Sequence, residues 1–243
     1  MDPQLKREPL GNGFEIYVSD HHTFGTDAVL LADFAAAKRS DRLVDLGTGC
    51  GIIPFLMLRD GRLQSAVGVD ISKEATDLAC MTAQGLSLER FSAVCSNLND
   101  LKGKVEFGRA TLVTCNPPYK APDGGIKNPD PIDAAARHEV SCTLEDIVSV
   151  ASRLLQTSGR LCMCHRPERL GELIALMSKY GVEPKRLRLV CKTKGFEPWL
   201  VLVEGRKCGK VGMRIAPTLY MYENGEYTAE ILKIYGPYKE GHI

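Results

Sequence analysis

Two short segments carry residue types at spacings that suit chemistry. The first is Asp45-Leu46-Gly47-Thr48-Gly49-Cys50-Gly51, which closes an apolar run over 42–46. Glycines where a strand meets a helix permit a tight turn and a close approach of backbone to ligand. The dinucleotide fingerprint G-x-G-x-x-G/A does not fit, because its third glycine, counted from Gly47, falls on Ile52. Asp45, inside the strand end, would repel a pyrophosphate and suits a positively charged ligand, an ammonium or a sulfonium. Asp70 ends the next apolar run, 19 residues after Gly51. A carboxylate so placed can accept hydrogen bonds from two ribose hydroxyls.

The second segment is Asn116-Pro117-Pro118-Tyr119, which follows the apolar run 110–115. Consecutive prolines fix the backbone and remove two N–H donors, so the neighbouring carbonyls are left to accept hydrogen bonds from a ligand. The Asn116 side-chain oxygen and the Pro117 carbonyl can both face an –NH2 group, hold its hydrogens and aim its lone pair. Tyr119 offers a flat face for stacking a planar group. Either segment alone is compatible with a purely structural turn.

Regular elements must bring the two together. Strands are expected over 14–18, 42–46, 66–70, 92–95, 110–115, 159–164, 186–191 and 200–204. Helices are expected over 26–37 (capped by Thr26 or Asp27), 52–58, 73–84, 144–155 and 167–180. Strand and helix alternate from 42 to about 180, which predicts a mostly parallel sheet with helices on both faces. The short link 192–198 predicts an antiparallel terminal hairpin, since parallel neighbours need a crossover. Both chemical segments then lie at the carboxyl edge of the sheet, where such folds bind ligands. The long stretch 120–140 reads as a loop, and the tail after Gly205 as an irregular extension.

Composition narrows the class. A chain of 243 residues, 44% hydrophobic and 25% charged, matches an ordinary soluble globular protein. No run of about 18 apolar residues predicts a membrane helix, and residues 1–10 lack the apolar core of a signal peptide. The nine cysteines, without a Cys-x-x-Cys pair, suit a reducing cytoplasm. With no ligand spacing among the five histidines, no metal is expected. The net charge of +1 is uneven: −6 over 1–152, +9 over 153–214 and −2 over 215–243. A local basic face on a neutral protein fits a polyanionic partner, although it also describes ordinary solvated surfaces.

In order and spacing, Asp45 to Gly51, Asp70 and Asn116-Pro117-Pro118-Tyr119 resemble the class I S-adenosylmethionine-dependent amino-methyltransferases. Phe24-Gly25-Thr26-Asp27, Ala136-Arg137-His138-Glu139 and His165-Arg166-Pro167 resemble the bacterial tRNA1(Val) adenine-N6 methyltransferase group, in particular its Gram-positive branch. The likeness runs over roughly 10–235. It implies a Rossmann-like α/β fold with a seven-stranded sheet: a lead over 1–40 closing the cofactor site, a methyltransferase domain over 41–205 and an extension over 206–243, all in one structural unit. It implies S-adenosylmethionine as cofactor, held by Thr26, Asp45, Gly47, Thr48, Gly49, Gly51, Asp70, Ile71, Asn97, Leu98 and Asn116. Asn97 stands where the family often has an acidic residue for the adenine amine. Asn116, Pro117, Pro118 and Tyr119 are the implied catalytic group, acting on the N6 amine of an adenine near the anticodon of a valine tRNA. Lys120, Arg137, His138, Arg166, Lys185 and Arg186 are implied substrate contacts; Lys127 of the long loop and Arg169, Arg188, Lys192 and Lys194 of the basic segment join them as candidates. A cytoplasmic monomer or homodimer is expected. Guanine-N2 methylation of ribosomal RNA and glutamine methylation of release factors are the alternatives. The second usually carries a larger N-terminal helical domain, where here about 40 residues precede the glycine turn.

Overall fold

The computed structural model describes residues 5–118 and 142–236. The chain opens with a hairpin of β1 (Lys6–Gly11) and β2 (Phe14–Val18). Asn12 and Gly13 at its tip have φ of 54° and 76°, and two successive left-handed residues match the twist of a two-residue hairpin. The hairpin then buries Leu10, Ile16 and Val18 against the main body.

The central sheet contains β3 (Arg42–Leu46), β4 (Ser65–Asp70), β5 (Phe91–Cys95), β6 (Ala110–Cys115), β7 (Leu155–His165), β8 (Val182–Cys191) and β9 (Pro198–Lys207), in the order β8-β9-β7-β6-β3-β4-β5. Strands β5 through β7 are parallel neighbours, and β9 is antiparallel to both β7 and β8. This is the Rossmann-like α/β arrangement with its terminal hairpin.

Alternating side chains explain the layers. Leu43, Leu112 and Cys162 point into one apolar cluster with helices α1 (Thr26–Phe34), α2 (Ile52–Arg59) and α3 (Lys73–Gly85). Their chain neighbours Val44, Val113 and Leu161 point into the other, with α4 (Leu144–Leu154) and α5 (Leu170–Lys179). Period-two alternation with both faces apolar is what a sheet buried between two helical layers requires.

The structure departs from the sequence expectations in four places. The tail is not irregular: β10 (Arg214–Ile215) and β11 (Leu219–Tyr220) each pair in parallel with β8, making nine strands. Beyond them lie a small hairpin, β12 (Tyr222–Glu223) with β13 (Glu226–Tyr227), and the helix α6 (Ala229–Tyr235). Two-residue strands carry no period to read. Strand β7 begins at Leu155 rather than Gly159, and its pairing with β6 jumps from Leu155 to Arg160 around Ser158, whose φ is 63°. Strand β8 begins before Pro184, which falls at a register shift where its missing N–H removes nothing from a regular ladder. Helix α1 is capped by Gly25 and stops at Phe34. The Thr26 hydroxyl is hydrogen-bonded to Tyr235 at 2.8 Å instead of capping, and Ala36 turns to φ 44°.

Candidate active site

Strand β3 lies between β4 and β6, yet the chain visits β4 and β5 before returning to β6. Connections therefore leave β3 and β6 on opposite sides, and a crevice opens at their carboxyl ends. A cavity of about 220 Å³ occupies this crevice. Gly47 of the glycine turn, Asp70 and Ile71 after β4, Asn97 and Leu98 after β5, and Asn116, Pro117 and Pro118 after β6 all line it. The two chemical segments, 69 residues apart from Gly47 to Asn116, thus line one cavity.

The glycine turn is pinned by β4. The Gly47 and Thr48 amides both donate to the Val69 carbonyl, at 2.8 and 3.0 Å, and the Gly49 amide donates to Asp70 Oδ2 at 2.8 Å. Gly51 has φ 89°, and a Cβ there would lie 2.6 Å from the Phe55 ring. Gly68 on β4 has the same meaning from the other side, because a Cβ would stand 2.8 Å from the Thr48 side chain. The turn can rest on β4 only because position 68 is bare.

Beneath the turn, Asp45 is 1% exposed. Its Oδ1 accepts a 2.5 Å hydrogen bond from Thr114, whereas among the described residues its Oδ2 has no hydrogen-bond partner, and neither does the buried Thr48 hydroxyl. Burial pushes the Asp45 carboxyl up to about 7. The hydroxyl of Thr114, bonded to it, opposes that rise, and the nearby charge of Asp70 adds to it. A buried carboxylate oxygen without a donor is costly, and a cationic ligand group at the turn is the natural complement.

Asp70 is held by two backbone donors, Gly49 to Oδ2 and Ser72 to Oδ1 at 2.9 Å. Each oxygen keeps a second lone pair, which suits a pair of vicinal hydroxyls. Beyond it, the exposed Ile71 and half-buried Leu98 offer apolar surface for a flat ring. The Asn97 side-chain oxygen already accepts from the Asn99 amide at 2.9 Å, capping a 3₁₀ turn over Leu98–Asp100. Its amide NH2 is the group left to face a heterocycle.

On the opposite wall, Asn116 Oδ1 accepts a 3.0 Å hydrogen bond from the Cys164 thiol on β7. That contact orients the amide within the cavity wall. Cys115 and Cys142 also line the cavity. Burial raises the first well above its ordinary value and pushes the second to about 11. Both thiols therefore stay protonated and are not nucleophiles. Among the described residues no group of three His, Cys, Asp or Glu side chains is gathered that could hold a metal ion.

The other candidates are dispersed. Thr48, Gly49 and Gly51 shape the turn. Thr26 is bonded to α6. Tyr119, Lys120, Lys127, Arg137 and His138 lie outside the described residues. Arg166 follows β7 at the cavity's edge of the sheet, its guanidinium donating to the Trp199 carbonyl at 3.1 Å. Its neighbour His165 is buried and held below its ordinary pKa, first by desolvation and then by Arg169. Lys185 donates to the carbonyls of Lys210 and Gly212. Arg186 lies 4.0 Å over the Phe34 ring and donates to the Phe34 carbonyl and to Glu204. A guanidinium so committed does not fit the expectation of a free phosphate contact at the pocket rim. Sequence reasoning missed Thr114, Gly68, Cys142 and Cys164. Thr114 has a legible signal, a hydroxyl inside an apolar strand two residues before Asn116. Cys164 has none, because its partner is set by the neighbouring strand.

The sequence model of the methyltransferase small domain family matches residues 14–197, which include the glycine turn, Asp70 and the Asn-Pro-Pro segment. The chain belongs to this family. Curated relatives share about a quarter of its residues. The tRNA1(Val) (adenine(37)-N6)-methyltransferase of Aeromonas salmonicida is 25% identical over 206 residues, 83% of this chain and 80% of the relative. The protein of that name from Porphyromonas gingivalis is 27% identical over 227 residues, 88% and 87%. Among solved structures, a predicted O-methyltransferase from Agrobacterium tumefaciens superposes with a TM-score of 0.67 at 21% identity, covering 86% of this chain and 95% of that one. A geranyl diphosphate C-methyltransferase from Streptomyces coelicolor, in complex with S-adenosyl-L-homocysteine, gives 0.54 at 16% identity over 74% and 79%. At such identities these two establish the shared fold. As a member of the methyltransferase small domain family, the chain has the cavity where that fold's carboxyl edge places it.

Proposed function

We propose that this methyltransferase uses S-adenosylmethionine to methylate the exocyclic N6 amine of an adenine in tRNA, the adenine at position 37 of tRNA1(Val) that its relatives' names give. The observation that carries the reading is the shared cavity, with Asn116 across it from Asp70 and the turn over Asp45. The donor set fits the cofactor. The unpartnered Asp45 oxygen and Thr48 hydroxyl suit its amino-acid end, Asp70 its ribose, and Ile71, Leu98 and Asn97 its adenine.

The bound cofactor supplies a methyl group on a positively charged sulfur. The chain's task is to present an amine to it. An exocyclic amine conjugated to a ring is a poor nucleophile, since its lone pair is delocalised. Asn116 Oδ1 and the Pro117 carbonyl accept the two N–H bonds, which favours a pyramidal nitrogen with its lone pair aimed at the methyl. As the N–C bond forms and the S–C bond breaks, positive charge grows on nitrogen. Two fixed acceptors stabilise it more than they stabilise the neutral amine. The extra proton then leaves to water. Juxtaposition of the two substrates supplies much of the remaining rate, and an adenine in a stacked loop must be turned out to enter. Stacking by Tyr119 would hold the flipped ring.

The decisive test is incubation of the purified protein with labelled S-adenosylmethionine and total RNA from a strain lacking the gene, followed by nucleoside analysis. Labelled N6-methyladenosine in a valine tRNA is expected. Label in guanosine, or in a release factor and no RNA, would move the assignment to one of the alternatives.

A further inference from the structure

The basic segment over 153–214 looks like one patch in sequence, but the fold divides it. Most of its cations already have partners: Arg160 with Asp41, Arg169 with Glu172, Arg186 with Glu204 and Arg188 with Glu230. Like Arg206, Lys210 and Arg214, the exposed Lys192 and Lys194 have no ion pair or side-chain hydrogen bond among the described residues. They sit in the link between β8 and β9, Lys192-Thr193-Lys194-Gly195-Phe196-Glu197. Phe196 is 66% exposed. The link is a tight turn, with Gly195 at φ 91° and the Phe196 amide donating to the Thr193 carbonyl at 3.3 Å.

The position of this tip matters more than its composition. Strands β7 and β8 run in the same direction, because each is antiparallel to β9 between them. The end of β8 therefore points to the same edge as the ends of β6 and β7. The tip stands three strand spacings across the sheet from Asn116, about 14 Å, and Lys192 lies four residues, about 13 Å, farther along the strand direction than Asn116; Arg166 lies between them, tied to the Trp199 carbonyl at the start of β9. An exposed aromatic ring flanked by two uncommitted cations is the pattern that holds single-stranded nucleic acid, the ring stacking a base and the cations following phosphates. Glu197 is the one acidic residue in the tip.

We infer that the hairpin tip over 192–197 is a second RNA contact, with a base several nucleotides from the target stacked on Phe196 and two phosphates neutralised by Lys192 and Lys194. The inference rests on the proposed RNA substrate and assigns the strand's path away from the pocket along the sheet edge. It also explains how a protein of net charge +1 engages a polyanion.

The test compares steady-state methylation of tRNA by the unaltered protein, Phe196→Ala, Phe196→Tyr and the double variant Lys192→Gln/Lys194→Gln. Cofactor affinity and melting temperature are measured for each. Phe196→Ala should raise KM for tRNA roughly tenfold or more with kcat nearly unchanged, and Phe196→Tyr should restore it, since stacking needs the ring. The double lysine variant should flatten the slope of log affinity against log salt by about 1.4, the value for two phosphates of a single strand. Cofactor affinity and melting temperature should not move. Normal KM and salt slope in Phe196→Ala and the lysine variant, with an unaltered protein that methylates tRNA, overturn this inference alone. Methylation of no RNA by the unaltered protein overturns the functional reading and this inference with it.

Discussion

Asp45 joins stability to binding at a single carboxyl. It is held near 7 by burial, against an ordinary 3.8. Between about pH 4 and pH 7 the folded protein keeps a proton that the unfolded chain has released. Stability therefore falls as pH rises through that window, by on the order of 4 kcal/mol in all. Asp45→Asn removes the penalty and gives the Thr48 hydroxyl a neighbouring N–H, so its melting temperature at pH 8 should exceed that of the unaltered protein. The same change should weaken S-adenosylmethionine binding, because a cation at the turn needs the ionised carboxylate. Calorimetry across pH should show affinity falling below about pH 7, by up to tenfold per unit, and Asp45→Asn should flatten that dependence. A flat profile in the unaltered protein would remove Asp45 from the site. At the opposite wall, Asn116→Ala should leave cofactor affinity nearly intact and lower kcat by about a hundredfold, as for the loss of an acceptor that acts chiefly in the transition state. An equal loss of cofactor affinity would make Asn116 a binding residue only.

The turn between β3 and α2 is the element on which the cofactor cradle depends, and it is latched from β4. Gly51→Ala would place a methyl group 2.6 Å from the Phe55 ring and 3.3 Å from the Ala79 methyl, at a φ that L-residues avoid. Left-handed backbone costs about 1–2 kcal/mol and overpacking typically about 1–3 kcal/mol more. Denaturant unfolding should therefore show a loss of about 2–5 kcal/mol. Asp70→Ala acts on the same latch from another side, by releasing the Gly49 and Ser72 amides as well as removing the acceptor for the ribose. Its cofactor affinity should fall by about tenfold or more, since a lost buried hydrogen bond is worth about 1–3 kcal/mol. Unchanged affinity in the folded variant would mean that another group holds the sugar.

Across the whole molecule, charge is spent on cohesion as well as recognition. Asp41, before β3, meets Arg160 on β7; Arg160 lies 3.7 Å from Glu204 on β9, and Glu204 meets Arg186 on β8. This chain of ions ties β7, β9 and β8 to the segment that enters β3 and, through the Phe34 and Ala35 carbonyls, to the end of α1. Removing one partner leaves a mostly buried charge uncompensated, which costs about 3–5 kcal/mol when burial is complete. Arg186 keeps 23% side-chain exposure and Glu204 would retain Arg160 at 3.7 Å, so Arg186→Ala should cost less, about 1–3 kcal/mol, by denaturant unfolding. Its KM for tRNA and its salt slope should stay normal. A raised KM without lost stability would return Arg186 to the substrate surface.

The order of strands and helices, the glycine turn and the Asn-Pro-Pro segment were legible in the sequence because each depends on neighbours along the chain. Apolar runs set the buried strands, positive φ selects glycine, and consecutive prolines fix a backbone wherever they occur. The meeting of Gly47 and Asn116 followed from one further rule, that such sheets bind ligands at their carboxyl edge. Tertiary structure decided what depends on partners across strands. It bonded Thr114 to Asp45 and Cys164 to Asn116, and it left one oxygen of Asp45 without a partner among the described residues. It added β10 and β11, too short to show a period, to the outer side of β8. It also sorted the +9 segment into cations used inside the fold, such as Arg186, and cations left at its edge, such as Lys192 and Lys194. Charge is counted along a chain, but whether it is free to meet a ligand depends on which carboxylate the fold brings beside it.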